Sequence, residues 1–333
     1  MKARKNTWII LGGAAFLLIL VCVVSACIGS YPLSLSDIRD VILGRSTDRM
    51  AGKVFFSLRL PRVLMGVTAG AVLGVCGAVF QLLFRNPLAS PDLVGVASGA
   101  GVGAACAIVL GTGGMVSVMG GAFLGGMAAL AGVFLLVWLS GSNRPGMFIL
   151  GGILISSLAN ALIMILKHAA DSDGKLAAIE FWTMGSLASV TASRVIYVLW
   201  ICVPSLLILI LLQREIILLS LGDEQAQMLG LAPGITRVLI LTLATLAVAG
   251  VISVTGVISF VGLLAPHGAF LILQRRNRSY LWLSGAVGAV LVVTADCCAR
   301  SVTEGELPVS ILTTLCAVPF LVFFIWKRKG RVL

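Results

Sequence analysis

Charged residues are scarce. Asp, Glu, Lys and Arg make up 11% of this 333-residue chain, against about 25% in an ordinary soluble domain. Histidine is rarer still: His168 and His267 are the only two, too few for a histidine-built zinc site. Gly52-Lys53 is followed by Val54 and Gly174-Lys175 by Leu176. Neither supplies the Ser or Thr that a phosphate-binding loop places on Mg²⁺, which excludes ATP hydrolysis by that route. There is no His-Glu-x-x-His run and no Cys-x-x-Cys pair. The eight cysteines (Cys22, Cys27, Cys76, Cys106, Cys202, Cys297, Cys298 and Cys316) sit in apolar text and read as small hydrophobes. No metal-ligating set is expected.

What is present is apolar surface. Hydrophobic residues make up 59% of the chain, and the mean hydropathy is +1.10. A soluble fold of this length cannot hide so much, so a soluble enzyme is excluded. At about 20 apolar residues per spanning helix, the supply suffices for roughly ten spans. The short alternating segments of a membrane barrel are absent. The net charge of +11 reads as the Lys/Arg excess of cytoplasmic loops. No basic run sits on a soluble module, so nucleic-acid binding is not expected. Val24-Ser-Ala-Cys27 resembles a lipoprotein cleavage site, but the rest of the chain is itself membrane-embedded, which favours an uncleaved first span.

Charge-free stretches place the spans. Asn6–Ser36 and Val63–Phe84 each hold one. Leu93–Asn143 holds two, turning at Gly111-Thr112-Gly113-Gly114. Pro145–Leu166 and Val195–Gln213 hold one each, as do Ser279–Ala295 and Leu307–Trp326. Val238–Gln274 is short for two spans. Parity decides it: Lys2, Arg4 and Lys5 at one end and Lys327, Arg328, Lys329 and Arg331 at the other both favour the cytoplasm, so the count is even. Two spans here make ten, turning near Val254–Ile258, with Pro266 expected to shorten or break the second helix. The inner loops then hold 14 of the 24 basic residues, while Arg39, Arg45, Arg49, Lys53, Arg59 and Arg62 cluster outside, against the orientation rule.

Two loops carry helix patterns. Leu35–Leu43, with Ser34 or Ser36 as cap, lies outside. Leu221–Gly230 lies inside, stopped by Gly230 and Pro233. Each reads as interfacial packing or as a partner-binding helix. Gly66, Gly70 and Gly74, and likewise Gly95, Gly99 and Gly103, recur every four residues and predict close helix packing or a cavity wall. Gly77 precedes Pro87 by ten residues, as Gly256 precedes Pro266. This faint repeat is five spans apart, which would make the halves antiparallel. Asp296 is a buried acid near the end of the ninth span, and Arg300, one helical turn later, is its expected partner.

Arg59-Leu-Pro-Arg62, Gly70, Gly74 and the run Phe84-Arg-Asn-Pro-Leu-Ala-Ser-Pro-Asp-Leu-Val-Gly95 resemble the FecCD-type permeases. These are membrane subunits of bacterial ABC importers for iron–siderophore complexes, haem and vitamin B12. Leu221-Gly-Asp223 with Leu229-Gly230, Ile258–Leu263 with Pro266-His267, and Glu306-Leu-Pro-Val309 continue the match in order. One departure is visible: the family's usual Pro-His-(Ile/Met)-x-Arg reads Pro266-His-Gly-Ala-Phe270, with Arg275 and Arg276 following.

The resemblance implies one permease domain over residues 1–333, all-α and polytopic, with about ten transmembrane helices, the type II ABC importer fold and an inverted 5+5 repeat. It implies a homodimer or a heterodimer with a sister permease, in the bacterial inner membrane with both termini cytoplasmic. Two cytoplasmic ATPases would hold the ATP and Mg²⁺, with no cofactor on this chain. A periplasmic or lipid-anchored binding protein would deliver the substrate. Arg59, Arg62 and Arg300 would dock that protein, the alternatives being snorkelling or pairing with Asp296 and Glu304. Asn86, Pro87 and Leu88, with Pro145 and Gly146, would form the inner gate, a simple turn being the alternative. Within a coupling segment at about 215–234, Leu218–Leu231 would form a helix seated in the ATPase, using Leu221, Gly222, Asp223, Glu224, Ala226, Leu229 and Gly230. Ferric siderophore is the first expected substrate, with haem and cobalamin as alternatives. An ion-coupled transporter would need more intramembrane acids than Asp296, and a membrane enzyme a His/Asp/Glu cluster.

Overall fold

The structure is a computed structural model that describes residues 2–29, 31–46, 48–111, 113–170, 174–302 and 306–329, without the side chains of residues 2–6, 325 and 327–329. The terminal basic residues Lys2, Arg4, Lys5, Lys327, Arg328, Lys329 and Arg331 therefore lie outside the described side chains, and Thr112 and Glu304 outside the described residues.

The chain is built of helices: α1 (Lys2–Cys27), α2 (Leu35–Ile42), α3 (Arg49–Lys53), α4 (Leu60–Leu83), α5 (Val96–Val109), α6 (Met115–Leu139), α7 (Pro145–Ala169), α8 (Lys175–Thr183), α9 (Ala192–Leu211), α10 (Gln213–Leu221), α11 (Asp223–Met228), α12 (Pro233–Thr255), α13 (Val261–Leu273), α14 (Arg278–Val302) and α15 (Val309–Lys329). Val54–Arg59 widens into a π-turn that runs into α4. Among the described residues, seven helices (α1, α4, α6, α7, α9, α12 and α14) are long and apolar enough to cross a membrane, and α5, α13 and the Val309–Phe324 part of α15 are shorter apolar helices. Together they make the ten that parity required. α1 begins and α15 ends at one end of the bundle, called below the terminal end; the opposite one is the far end.

Local chemistry explains most boundaries. Ser34 caps α2, accepting from the Asp37 amide while the Asp37 carboxylate accepts from the Ser34 amide, a reciprocal capping box. α5, at 14 residues, is about 21 Å long and cannot cross the roughly 30 Å hydrocarbon core alone. The chain first re-enters through a 3₁₀ turn at Pro91–Val94. α13 is shortened likewise, but not at Pro266, which lies inside the helix. The break falls earlier, over residues 256–260, where Gly256 (φ 67°) and Phe260 (φ 65°) take left-handed conformations.

The order long, short, long in α4–α5–α6 recurs in α12–α13–α14, five spans later, as an inverted repeat requires. The Gly–Pro spacing is not its mark. Gly77 lies inside α4, whereas Gly256 caps the end of α12, so the two pairs hold different positions.

α4 and α12 form the centre and are largely buried, while α1 and α7 are mostly exposed. The glycine rows serve packing. A Cβ on Gly70 would run into the Gly288 carbonyl of α14, and one on Gly74 into that of Ser284. Gly99 and Gly103 meet α6 at Gly125 and Gly121 in the same way. Backbones at this separation gain dispersion contacts that any side chain would prevent.

Candidate functional site

Two clusters of polar chemistry stand at opposite ends of the bundle. At the far end the structure brings Arg59, Arg62 and Arg300 together around a cavity of about 250 Å³ that Glu306 also lines. Each guanidinium is already engaged. Arg59, 4% exposed, donates to the carbonyls of Ala26 at 2.5 Å and Cys27 at 2.7 Å, and to that of Tyr31. It thereby satisfies carbonyls at the end of α1 that have no helical partner. Arg62 lies between two carboxylates: its Nε is 2.9 and 3.1 Å from the Asp296 oxygens, and its Nη1 is 3.0 Å from both Glu306 oxygens. Arg300 Nε lies 3.3 Å from Asp296 Oδ2, the pair expected one turn apart, and its Nη atoms reach Ser25 O and Ser25 Oγ of α1 and Ile28 O just beyond it. The cluster fastens α1, α4 and α14 to one another. Three guanidiniums against two carboxylates leave one net positive charge at the mouth. The carboxylate that joins Asp296 is Glu306; Glu304, the partner considered from sequence, lies outside the described residues.

Beyond this mouth, α2, α3 and the connection between them expose Arg39, Arg45, Arg49 and Lys53 to solvent. Tyr31 Oη donates to Asp48 Oδ2 at 2.6 Å. That bond, with amides of α3, holds the Asp48 carboxyl below the usual carboxylate range, and bonds from Ser34 do the same for Asp37.

At the terminal end the expected single helix over Leu218–Leu231 is divided. α10 stops at Leu221, Gly222 (φ 130°) turns the chain in a conformation that L side chains rarely adopt, and α11 runs from Asp223 to Met228. Gly230 (φ 85°) ends the turn that follows, and α12 starts at Pro233. Asp223 does not cap α11. Its carboxylate accepts from Arg237 Nη2 at 2.6 Å, while Arg237 Nη1 donates to the Asn143 carbonyl at 2.7 Å. The Arg237 side chain is fully buried. Ala226 is buried too, whereas Glu224 is exposed and Leu221 (52%), Met228 (86%), Leu229 (56%) and Ile235 (77%) leave an apolar surface open.

The two loops expected to form the gate flank this segment. A Cβ on Gly222 would stand 3.4 Å from Arg85 Nη1, on the residue before Asn86, and one on Gly234 would stand 3.3 Å from Asn143 Nδ2, two residues before Pro145. Asn86 Oδ1 accepts from the Leu88 amide at 2.9 Å, an Asx-type turn that leaves Leu88 62% exposed. Pro145 is buried in the first turn of α7, and Gly146 is exposed.

Sequence reasoning missed two features. Arg237 was not among the candidate residues, although a lone arginine one turn after Pro233 in an apolar run was a visible signal. A polar network inside the bundle also passed unnoticed. Tyr280 Oη donates to Gln81 Oε1 at 3.2 Å, Gln81 Nε2 lies 3.5 Å from His267 Nδ1, and that nitrogen meets the Leu263 carbonyl at 2.7 Å. His267, in the departed motif, is thus held in the core, and Arg276 stacks over Phe270, 5.6 Å from the ring centre.

The profile of the FecCD transport family matches residues 17–327. The chain is 35% identical over 327 residues to the molybdate import system permease protein MolB of Haemophilus influenzae, with 96% of each chain covered. It is 34% identical over 341 residues to the hemin transport system permease protein HmuU of Yersinia pestis, with 99% of each covered. Its fold matches a metal-chelate type ABC transporter solved in an inward-facing conformation with TM-score 0.88 at 33% identity, over 96% of this chain and 99% of that one.

Proposed function

This chain belongs to the FecCD transport family and is a permease of a type II ABC importer, and we propose that it forms half of a dimeric pathway for ferric siderophore, driven by two ATPases docked on its terminal end. In this reading both termini lie in the cytoplasm of a bacterial cell whose inner membrane holds the bundle. ATP and Mg²⁺ are held by the ATPases, and the substrate arrives from a binding protein at the far end. The observation that carries the reading is the terminal-end arrangement. An exposed apolar surface at Leu221, Met228, Leu229 and Ile235 is joined through Arg237 to Asn143, and Gly222 lies beside the Arg85 side chain. A push on α11 by an ATPase therefore reaches both loops that carry the gate residues.

The far-end mouth is the proposed docking site. Its arginines are held by the chain itself, so they offer a fixed, weakly positive rim, which mainly tunes encounter rate and salt dependence. α7 exposes Leu150, Ile153, Leu154 and Leu158, an apolar face for the second permease. The metal-chelate type structural relative supports a chelate as cargo, and the hemin permease relative supports an iron chelate. Co-purification of the chain with an ATPase tests the importer assembly. Titrating the partner binding protein with a ferric hydroxamate, hemin, cobalamin and molybdate tests the cargo. Nanomolar binding of molybdate with none of the ferric chelate would overturn the siderophore assignment.

A further inference from the structure

Between α1 and α14, at the terminal end, lies a cavity of about 840 Å³ that the importer roles above do not use. Its walls change character with depth. Arg275 and Arg278, both exposed, stand at its mouth in the α13–α14 connection and the first turn of α14. Arg275 Nη2 donates to Thr7 Oγ1 of α1 at 2.6 Å, which fixes one guanidinium at the rim. Deeper, Leu11, Ala15 and Leu18 line the α1 side; steps of four and three place them on one helix face. Trp8 and Trp282 flank the cavity, 68% and 51% exposed, as tryptophans do at the boundary between hydrocarbon and headgroups. Gln213 also borders the cavity.

We infer that this groove is a binding site for an anionic phospholipid, and phosphatidylglycerol is the occupant whose chemistry it fits. The phosphate diester meets two guanidiniums. An acyl chain lies along Leu11, Ala15 and Leu18. A phosphatidylethanolamine headgroup would set its ammonium against two arginines and bring its phosphate no closer. An inorganic phosphate would leave the apolar slot empty. Either leaflet can supply the lipid, so the site stands whichever end faces the cytoplasm. Each basic side chain at a membrane surface favours an anionic lipid about fivefold, so two give a preference of about 25-fold.

Native mass spectrometry of the full chain, released from a mixture of phosphatidylglycerol, phosphatidylethanolamine and cardiolipin, tests this. Wild type should retain one phosphatidylglycerol per chain, favoured by about 25-fold over phosphatidylethanolamine. Arg275→Gln with Arg278→Gln should bring the two lipids near parity. Ala15→Trp should fill the slot and abolish retention with both arginines intact; circular dichroism confirms that each variant is folded. Equal retention by wild type and the double variant overturns the site. So does a cardiolipin preference as large as that for phosphatidylglycerol, displacement of the lipid by inorganic phosphate, or a photocrosslink from position 8 to a second protein chain in place of lipid.

Discussion

Arg237 and Asp223 form an ion pair with a 2.6 Å contact in which the guanidinium is fully buried and the carboxylate is 32% exposed. The same guanidinium holds the Asn143 carbonyl, so one side chain joins α11, α12 and the α6–α7 turn. A buried arginine has few ways to lose a partner cheaply. Its charge is always present, and an unpaired charge away from water is strongly unfavourable.

Asp223→Asn should therefore do more than weaken a surface contact. Removing one partner of a buried pair costs about 3–5 kcal/mol, and the part exposure of Asp223 puts the expected loss at the low end. The melting temperature of the purified permease should fall, and transport per ATP hydrolysed should drop. Unchanged stoichiometry would show that the pair does not couple α11 to the pathway.

Gly222 and Gly230 sit at φ 130° and 85°, where a side chain is strained by about 1–3 kcal/mol. Bulky residues at both should leave ATP hydrolysis running while substrate uptake falls. Gly12→Ala is the control. A Cβ there meets nothing within 4 Å, and helix propensity predicts a gain of up to about 1 kcal/mol. Wild-type transport in the Gly222 and Gly230 variants would remove the coupling role from this turn.

At the far end, Arg62→Gln should destabilise the bundle, because Asp296 is 2% exposed and would keep only the longer contact to Arg300. Glu306→Gln is gentler, since Glu306 is 39% exposed and a pair of that kind contributes about 0–1 kcal/mol. It raises the net charge of the mouth by one. If acidic residues of the binding protein dock there, its association rate at low salt should rise, and the gain should vanish at high salt. A rate indifferent to both would place docking elsewhere.

Cysteines at position 88 of two subunits, in a chain freed of its native cysteines, should form a disulfide in the resting importer if the Asn86–Leu88 turn is the gate. Absence of the crosslink in every nucleotide state would move the gate, because a disulfide tolerates a Cα separation of at most about 7 Å.

Asp37 and Asp48 predict the acid behaviour of the α2–α3 loop. Both carboxyls titrate below their ordinary range because Ser34 and Tyr31 donate to the ionised form. A lowered folded-state pKa stabilises fully above the unfolded value, near 3.9, and that stabilisation is lost as pH falls through the folded value. Amide protection in α2, corrected for intrinsic exchange, should hold from pH 7 to 5 and fall only below about 4. Loss already at pH 6 would contradict the capping account.

By itself the sequence determined what depends on nearby residues. Apolar run length and terminal charge were enough for ten spans and their order. Ser34 was one of two caps offered for α2, and Pro145 began the stretch that forms α7, whereas Pro233, read as the stop of the preceding helix, also opens α12. Each of these is decided within a few residues by burial, capping or a missing amide. Tertiary structure alone decided the rest. Arg62 meets carboxylates 234 and 244 positions away, and Arg237 meets a carbonyl 94 positions earlier, so no local pattern names the partner. The break in Leu218–Leu231 is of the same kind. Its amphipathic text suits one helix, but Gly222 (φ 130°) turns the chain just before Asp223, whose carboxylate is then held by the buried Arg237 across the Gly230 turn.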